Sequence, residues 1–162
     1  MKSVDLINPP VDFKEAVIAL EEKYIFERDI TKGANGYVLV GVNRVTEQKV
    51  IVKFYYWASG TYAEPKTLAG LDHENVLQVL DAAPVNDQYA YFVTPYCEVG
   101  DLDDLLKLRR LGPTEAVHIV SRICSGVSYL HGEKLIHRDL KLSNILLRAD
   151  GRPVIGDFGS VR

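Results

Sequence analysis

The sequence predicts an α+β fold with strands first and helices later, and three observations carry that expectation. Five short runs rich in β-branched and aromatic residues crowd residues 24–93, spaced by polar or glycine-bearing turns. From Asp101 onward the apolar spacing becomes helical: Leu102, Leu105, Leu106 and Leu108, then Ala116, Val120, Ile123, Val127 and Leu130. The chain has 162 residues, 47% hydrophobic and 25% charged, an ordinary globular composition that holds one domain or at most two small lobes.

The elements follow in order. After Pro9 and Pro10, residues 12–23 place Phe13, Val17 and Leu20 on one helical face, and Asp12 with Glu15 has capping-box spacing. Runs 24–30, 37–43 and 49–55 predict an antiparallel meander, interrupted by a loop holding Gly33 and Gly36 and by a polar turn over 44–48. A short helix over 62–71 is inserted before two more strands, 76–82 and 89–93, joined by a turn at Asn86-Asp87. A short helix beginning at Leu102 closes by Gly112. A longer one spans 113–131, with Pro113 in its first turn and Gly132 as its stop. The last element is a hairpin, 145–147 with 153–155, turned by Asp150-Gly151.

Composition excludes several functions. With 19 Lys plus Arg against 22 Asp plus Glu, the net charge of −3 is wrong for binding a phosphate backbone, so no nucleic-acid partner is expected. No apolar run approaches the ~20 residues needed to cross a bilayer. The start of the chain does not read as a secretory signal, and a cytoplasmic protein with no membrane partner is expected. Cys97 and Cys124 lack metal-ligand spacing and sit in apolar patterns, which predicts two reduced core or near-core thiols.

Two local features point to anion chemistry. Thr31-Lys32-Gly33-Ala34-Asn35-Gly36-Tyr37-Val38 lies between two predicted strands, where missing Cβ atoms let backbone N–H groups approach phosphate oxygens. Seventeen residues after Gly36, Lys53 follows Val50-Ile51-Val52 within a strand. Alone, the first is an ordinary glycine-rich turn and the second a solvated lysine.

The decisive stretch is Leu135-Ile136-His137-Arg138-Asp139-Leu140-Lys141-Leu142-Ser143-Asn144, followed after the hairpin by Gly156-Asp157-Phe158-Gly159. It resembles the eukaryotic-type protein kinase family, in its serine/threonine branch, whose catalytic loop reads H-R-D-L-x-x-x-N and whose metal-binding turn reads D-F-G. Further family markers stand in order: the glycine loop, Lys53, Glu64, and a hinge-like run from Val93 to Leu102. The resemblance covers nearly all of 24–162. It implies a protein-kinase-like fold, with a five-stranded small lobe and hinge over 24–96 and a partial large lobe over 97–162; residues 1–23, which it leaves unexplained, are expected to form an N-terminal extension helix.

It further implies ATP-dependent phosphorylation of protein serine and threonine, with ATP and Mg²⁺ bound. Lys53 would hold the α- and β-phosphates and be held by Glu64. Asn144 and Asp157 would bind the metal, Asp139 would accept the substrate hydroxyl's proton, and Lys141 would contact the γ-phosphate. Gly33 and Gly36 would cradle phosphates, Val38, Ile51 and Leu146 would sandwich adenine, Thr94 would be the gatekeeper, and Pro95, Tyr96 and Cys97 would present hinge main chain. His137 is expected to pack and hydrogen-bond; His73, His118 and His131 are read as structural or surface residues.

Some positions depart from the family pattern. Thr31 replaces the first loop glycine, Ile51 a small residue, and only eleven residues separate Lys53 from Glu64. Pro65 predicts that Glu64 begins a truncated helix instead of sitting inside a long one. Only three residues follow Gly159, so the expected form is a kinase fold truncated after the D-F-G turn. Self-association through an uncovered apolar face of 113–131 is then expected. The alternative reading is a non-catalytic, nucleotide-binding scaffold module, pseudokinase-like.

Overall fold

Residues 7–30 and 36–162 are described in a computed structural model. Strand β3 (Lys49–Tyr56) shows why the first part of the chain folds as it does: Val50, Val52 and Phe54 are fully buried on one face, while Lys53 and Tyr55 are buried on the other. A strand covered on both faces loses the alternation of an edge strand and takes the centre of a sheet. The remaining strands are β1 (Tyr24–Ile30), β2 (Val38–Asn43), β4 (Asp81–Pro84) and β5 (Tyr89–Pro95), in the spatial order β1-β2-β3-β5-β4 with every pairing antiparallel. Local side-chain hydrogen bonds fix the turns. Asn43 Oδ1 accepts from the N–H groups of Val45 and Thr46, and Asn86 Oδ1 from those of Gln88 and Tyr89.

The expected strand over 76–82 is corrected to Asp81–Pro84. Asn75 and Leu77 spend their backbone hydrogen bonds on Ile155, at 2.9 and 2.8 Å, so pairing with β5 starts only later. The expected helix over 12–23 shortens to a 3₁₀ turn, Val11–Phe13, and α1, Lys14–Leu20. Asp12 lies inside the first turn and caps nothing; the cap positions fall on Pro10 and Phe13. Phe13, Val17 and Leu20 nevertheless form the buried face anticipated, packed with Tyr24, Phe26, Tyr37, Leu39, Val50, Val52, Phe54 and Val93 in one cluster. The single helix expected between β3 and β4 is two pieces, α2 (Ala58–Thr61) and α3 (Pro65–Ala69).

Contacts divide the chain into two compact units, Met1–Gly70 with Val79–Tyr96, and Leu71–Gln78 with Cys97–Arg162. In the second, α4 (Leu102–Leu108) is capped by Asp101, whose Oδ1 accepts from the Asp104 N–H at 2.9 Å. Gly112 does not close α4; it is the N-cap of α5 (Pro113–Gly132). The helix runs through Gly132, the expected stop, and Lys134 takes a left-handed conformation at φ 62° just beyond it. Strands β6 (Ile145–Leu147) and β7 (Pro153–Ile155) form the hairpin at the bounds read from sequence.

The buried face of α5 is rotated from the one expected. Ile119, Gly126 and Leu130 are buried, whereas Val120 is 57% and Val117 70% exposed. Gly126 causes this: a Cβ there would stand 2.7 Å from the Asn75 carbonyl oxygen and 2.9 Å from Ile155 Cδ1, so the helix approaches its neighbours along this residue. Cys124, on the outward side, is exposed, which corrects the expectation of two core or near-core thiols; Cys97 is half-buried. No helix among the described residues is long and apolar enough to cross a membrane.

Gly126→Ala gains about 1 kcal/mol of helix propensity but meets a backbone carbonyl that cannot rotate away. A net loss of about 1–2 kcal/mol is expected from the urea midpoint.

Candidate functional site

In the first unit, the register of the sheet gathers the anticipated nucleotide residues on one face. Val38 pairs with Lys53 and Ile51 with Thr94, and directly paired residues share a face, as do residues two apart on one strand. Val38, Ile51, Lys53 and Thr94 therefore point the same way. Lys53 is 8% exposed and Thr94 3%; Lys53 is the only cation so buried among the described residues of this face, and Tyr55, at 2%, shares the face two residues further along β3. Tyr96 continues from β5, its N–H donating to the Lys49 carbonyl at 3.0 Å while Lys49 Nζ stands 4.9 Å from its ring centroid.

Gly36 enters β2 at φ +112°, and any Cβ would collide with the Phe54 carbonyl oxygen, so both conformation and space demand glycine. Thr31, Gly33 and the rest of residues 31–35 lie outside the described residues. Glu64 sits where Pro65 predicted. It is the N-cap residue of α3, extended at φ −63° and ψ 142°, with an exposed side chain and a main-chain carbonyl that accepts from Thr67 and Leu68.

The second unit builds its constellation on the 135–144 loop. His137 is buried, and one assignment satisfies both ring nitrogens: Nε2 donates to the Gly156 carbonyl at 2.7 Å while Nδ1 accepts from the Asp139 N–H at 3.3 Å. Asn144, also buried, donates from Nδ2 to the Asp139 carbonyl at 2.8 Å and to Asp139 Oδ2 at 3.0 Å. Lys141 Nζ lies 3.2 Å from the same oxygen. Burial is the largest influence on Asp139 and acts to raise its carboxyl pKa. The hydrogen bonds from Lys141 and Asn144, with the positive charge of Lys141, outweigh it and hold the carboxyl below the ordinary aspartate value.

Asp157 follows β7 in the left-handed region at φ 56°, and its Oδ1 accepts from the Gly159 N–H at 3.4 Å. Arg138 shares that conformation at φ 68°. Non-glycine residues held there store backbone strain of order 1–3 kcal/mol each, a feature that clusters at functional sites. Phe158 is fully buried with its ring edge-on to His137 at 6.3 Å. Leu146 lies on β6 opposite Val154, half-buried. Burial pushes the Cys97 thiol up, partly offset by Arg148.

The donor set suits a hard divalent cation. Nδ2 of Asn144 is committed to Asp139, which leaves its side-chain Oδ1 as the atom it could offer, and Asp157 would add a carboxylate; all-oxygen ligation of this kind suits a cation such as Mg²⁺. The sequence reading placed Asn144 only as a metal ligand and missed its grip on Asp139. A hydrogen bond between residues five apart in a loop has no periodic signature. It missed equally the Gly156 carbonyl as partner of His137, because a main-chain acceptor leaves no mark on sequence.

The family model described as the protein kinase domain matches residues 24–162. The chain is 32% identical over 167 residues to mitogen-activated protein kinase p38b of Drosophila melanogaster, covering 94% of this chain and 46% of that protein. Against mitogen-activated protein kinase pmk-1 of Caenorhabditis elegans it is 31% identical over 164 residues, with coverage of 94% and 43%. A probable serine/threonine-protein kinase of Dictyostelium discoideum is 30% identical over 160 residues, with coverage of 91% and 25%. The chain thus spans less than half the length of these relatives.

Replacing Lys141 with Met removes both a hydrogen bond and a charge from Asp139, so the carboxyl pKa should rise when followed by carboxyl-carbon NMR titration. The sign for stability follows: the depressed carboxyl contributes fully above the ordinary value of 3.8, loses its contribution as pH falls through the folded value, and loses less in Lys141→Met.

Proposed function

This chain belongs to the protein kinase family, and we propose that it carries the site for transferring the terminal phosphoryl group of ATP to serine or threonine hydroxyls of a protein, with Mg²⁺. The observation that carries this reading is the Asp139 carboxylate, held at once by Asn144 Nδ2 and Lys141 Nζ. A carboxylate with a depressed pKa is ionised at neutral pH, so its lone pair is available to a hydroxyl proton, and its two donors aim it.

Asp139 takes the proton of the substrate hydroxyl as that oxygen bonds to the γ-phosphorus and the bond to the bridging oxygen of the departing ADP breaks. Lys141, shared between Asp139 and the γ-phosphate, offsets charge on the transferred group. Lys53 neutralises the α- and β-phosphates, and Gly36 lets main chain lie close to them. Thr94 and Ile51 border the base, with Val38 and Leu146 as its apolar cover and main chain of Pro95, Tyr96 and Cys97 as its hydrogen-bonding edge. Glu64, exposed at the start of α3, supports Lys53 from a short helix. A cation bound by Asn144 and Asp157 supplies charge neutralisation at the phosphate oxygens. Chemistry on intracellular ATP with two free thiols is at home in a reducing cytoplasm.

Mg²⁺-ATP should raise the melting temperature in proportion to the logarithm of its concentration over Kd, and Asp157→Ala should abolish the metal-dependent part. An unchanged melting temperature at millimolar Mg²⁺-ATP contradicts the proposal. Asp139→Asn keeps the shape and removes the base, so turnover should fall roughly 10²–10⁴-fold with little change in nucleotide affinity. Nucleotide binding with no transfer in the unaltered protein would favour the scaffold alternative.

A further inference from the structure

The outward face of the sheet, opposite Lys53 and Thr94, is covered by the N-terminal helical segment. Alone, a 3₁₀ turn and a seven-residue helix are too short to persist in water, so packing must hold them. Among the described residues, Phe13 makes the closest ring contact. It stacks on Phe54 with centroids 4.8 Å apart and planes at 24°, lies parallel to Tyr37 at 6.1 Å, and meets Tyr89 edge-on at 5.0 Å.

The residues it touches are one step along the chain from the nucleotide-facing ones. Phe54 follows Lys53, and Tyr37 follows Gly36. The two are tied to each other, because the Phe54 N–H donates to the Tyr37 carbonyl at 2.8 Å. The Phe54 carbonyl is also the group that fills the space beside Gly36. Neighbouring side chains on a strand point to opposite faces, so a buried, stacked Phe54 ring resists displacement of its own backbone, which is also the backbone that carries Lys53. The same backbone carries the carbonyl against which Gly36 is packed.

We propose that Phe13 is a positioning residue for nucleotide binding: through the ring of Phe54 it holds Lys53 and Gly36 in register from the far side of the sheet. Phe13 is then part of the binding apparatus, whereas Val17 and Leu20 only fasten the segment to the sheet. This inference rests on the functional reading above.

The test measures Mg²⁺-ATP affinity by calorimetry, with melting temperature and NMR amide exchange, for the unaltered chain, Phe13→Ala, Phe13→Leu and Val17→Ala. Phe13→Ala should weaken binding about tenfold and speed exchange of the Phe54 amide, and Phe13→Leu, which keeps the volume but loses the flat stack, should weaken it about threefold. Val17→Ala removes buried apolar volume from the same N-terminal segment without a ring contact. It should lower the melting temperature while changing affinity by less than about twofold. Phe13→Leu carries the test if Phe13→Ala does not fold. Folded Phe13 variants that bind like the unaltered chain overturn the inference, as does Val17→Ala weakening binding as much as Phe13→Ala. An unaltered chain that fails to bind Mg²⁺-ATP overturns the functional reading, and the inference with it.

Discussion

One buried hydrogen bond, from His137 Nε2 to the Gly156 carbonyl at 2.7 Å, holds the second unit's chemistry together. It joins the 135–144 loop to the segment leading into Asp157, and a polar network closes around it. Asn144 takes the Gly156 N–H on its carbonyl at 2.9 Å while its side chain holds Asp139, and Ile136 and Arg162 exchange a pair of backbone hydrogen bonds at 2.8 and 3.1 Å. Buried polar groups lose far more when a partner is removed than they contribute when satisfied, so the network resists any single displacement. That resistance is what can keep Arg138 and Asp157 in left-handed conformations that neither residue would hold alone.

In the first unit the corresponding constraint is a sheet covered on both faces. One face gathers Val38, Ile51, Lys53 and Thr94, and the other is sealed by Phe13, Val17 and Leu20 against Val50, Val52 and Phe54. Burying a lysine amine is costly without compensation, and a rigid sheet fixes where that compensation must come from. Pro65 works in the opposite direction: by forcing Glu64 into extended backbone, it leaves that carboxylate at the tip of a five-residue helix instead of inside a long one.

Much of the fold was legible because its signals are local. The hairpin β6–β7 matched its expected bounds since Asp150 Oδ1 accepts from the Arg152 N–H and Gly151 adopts φ +80°, a turn written within three residues. The start of α4 was equally readable, at Leu102 just after its cap Asp101, but its end was not: the helix stops at Leu108, and Gly112 caps α5. The strand placed at 76–82 failed for the opposite reason: Val76 and Leu77 look like strand residues, but their backbone pairs with Ile155, far along the chain. Asp139, Asn144 and Asp157 were singled out by the resemblance of their motifs to the protein kinase family, whereas the bond by which Asn144 holds Asp139 was not legible.

By itself, then, the sequence determined most of the order and type of the elements, the strand turns, the truncated start of α3 at Pro65, and the motifs that mark the family. These depend on dihedral preferences, short side-chain hydrogen bonds and residue identity, all of which act within a few positions. Only the tertiary structure decided which flank of α5 is buried, that Cys124 faces outward, that Phe13 reaches Phe54, and that His137 finds the Gly156 carbonyl. Helical periodicity marks an apolar stripe about 100° wide but not the line along which a neighbour approaches, which here follows Gly126 because the Asn75 carbonyl leaves no space for a Cβ. Contacts between residues far apart in sequence form only when the whole chain has packed, and no short window of sequence contains both partners.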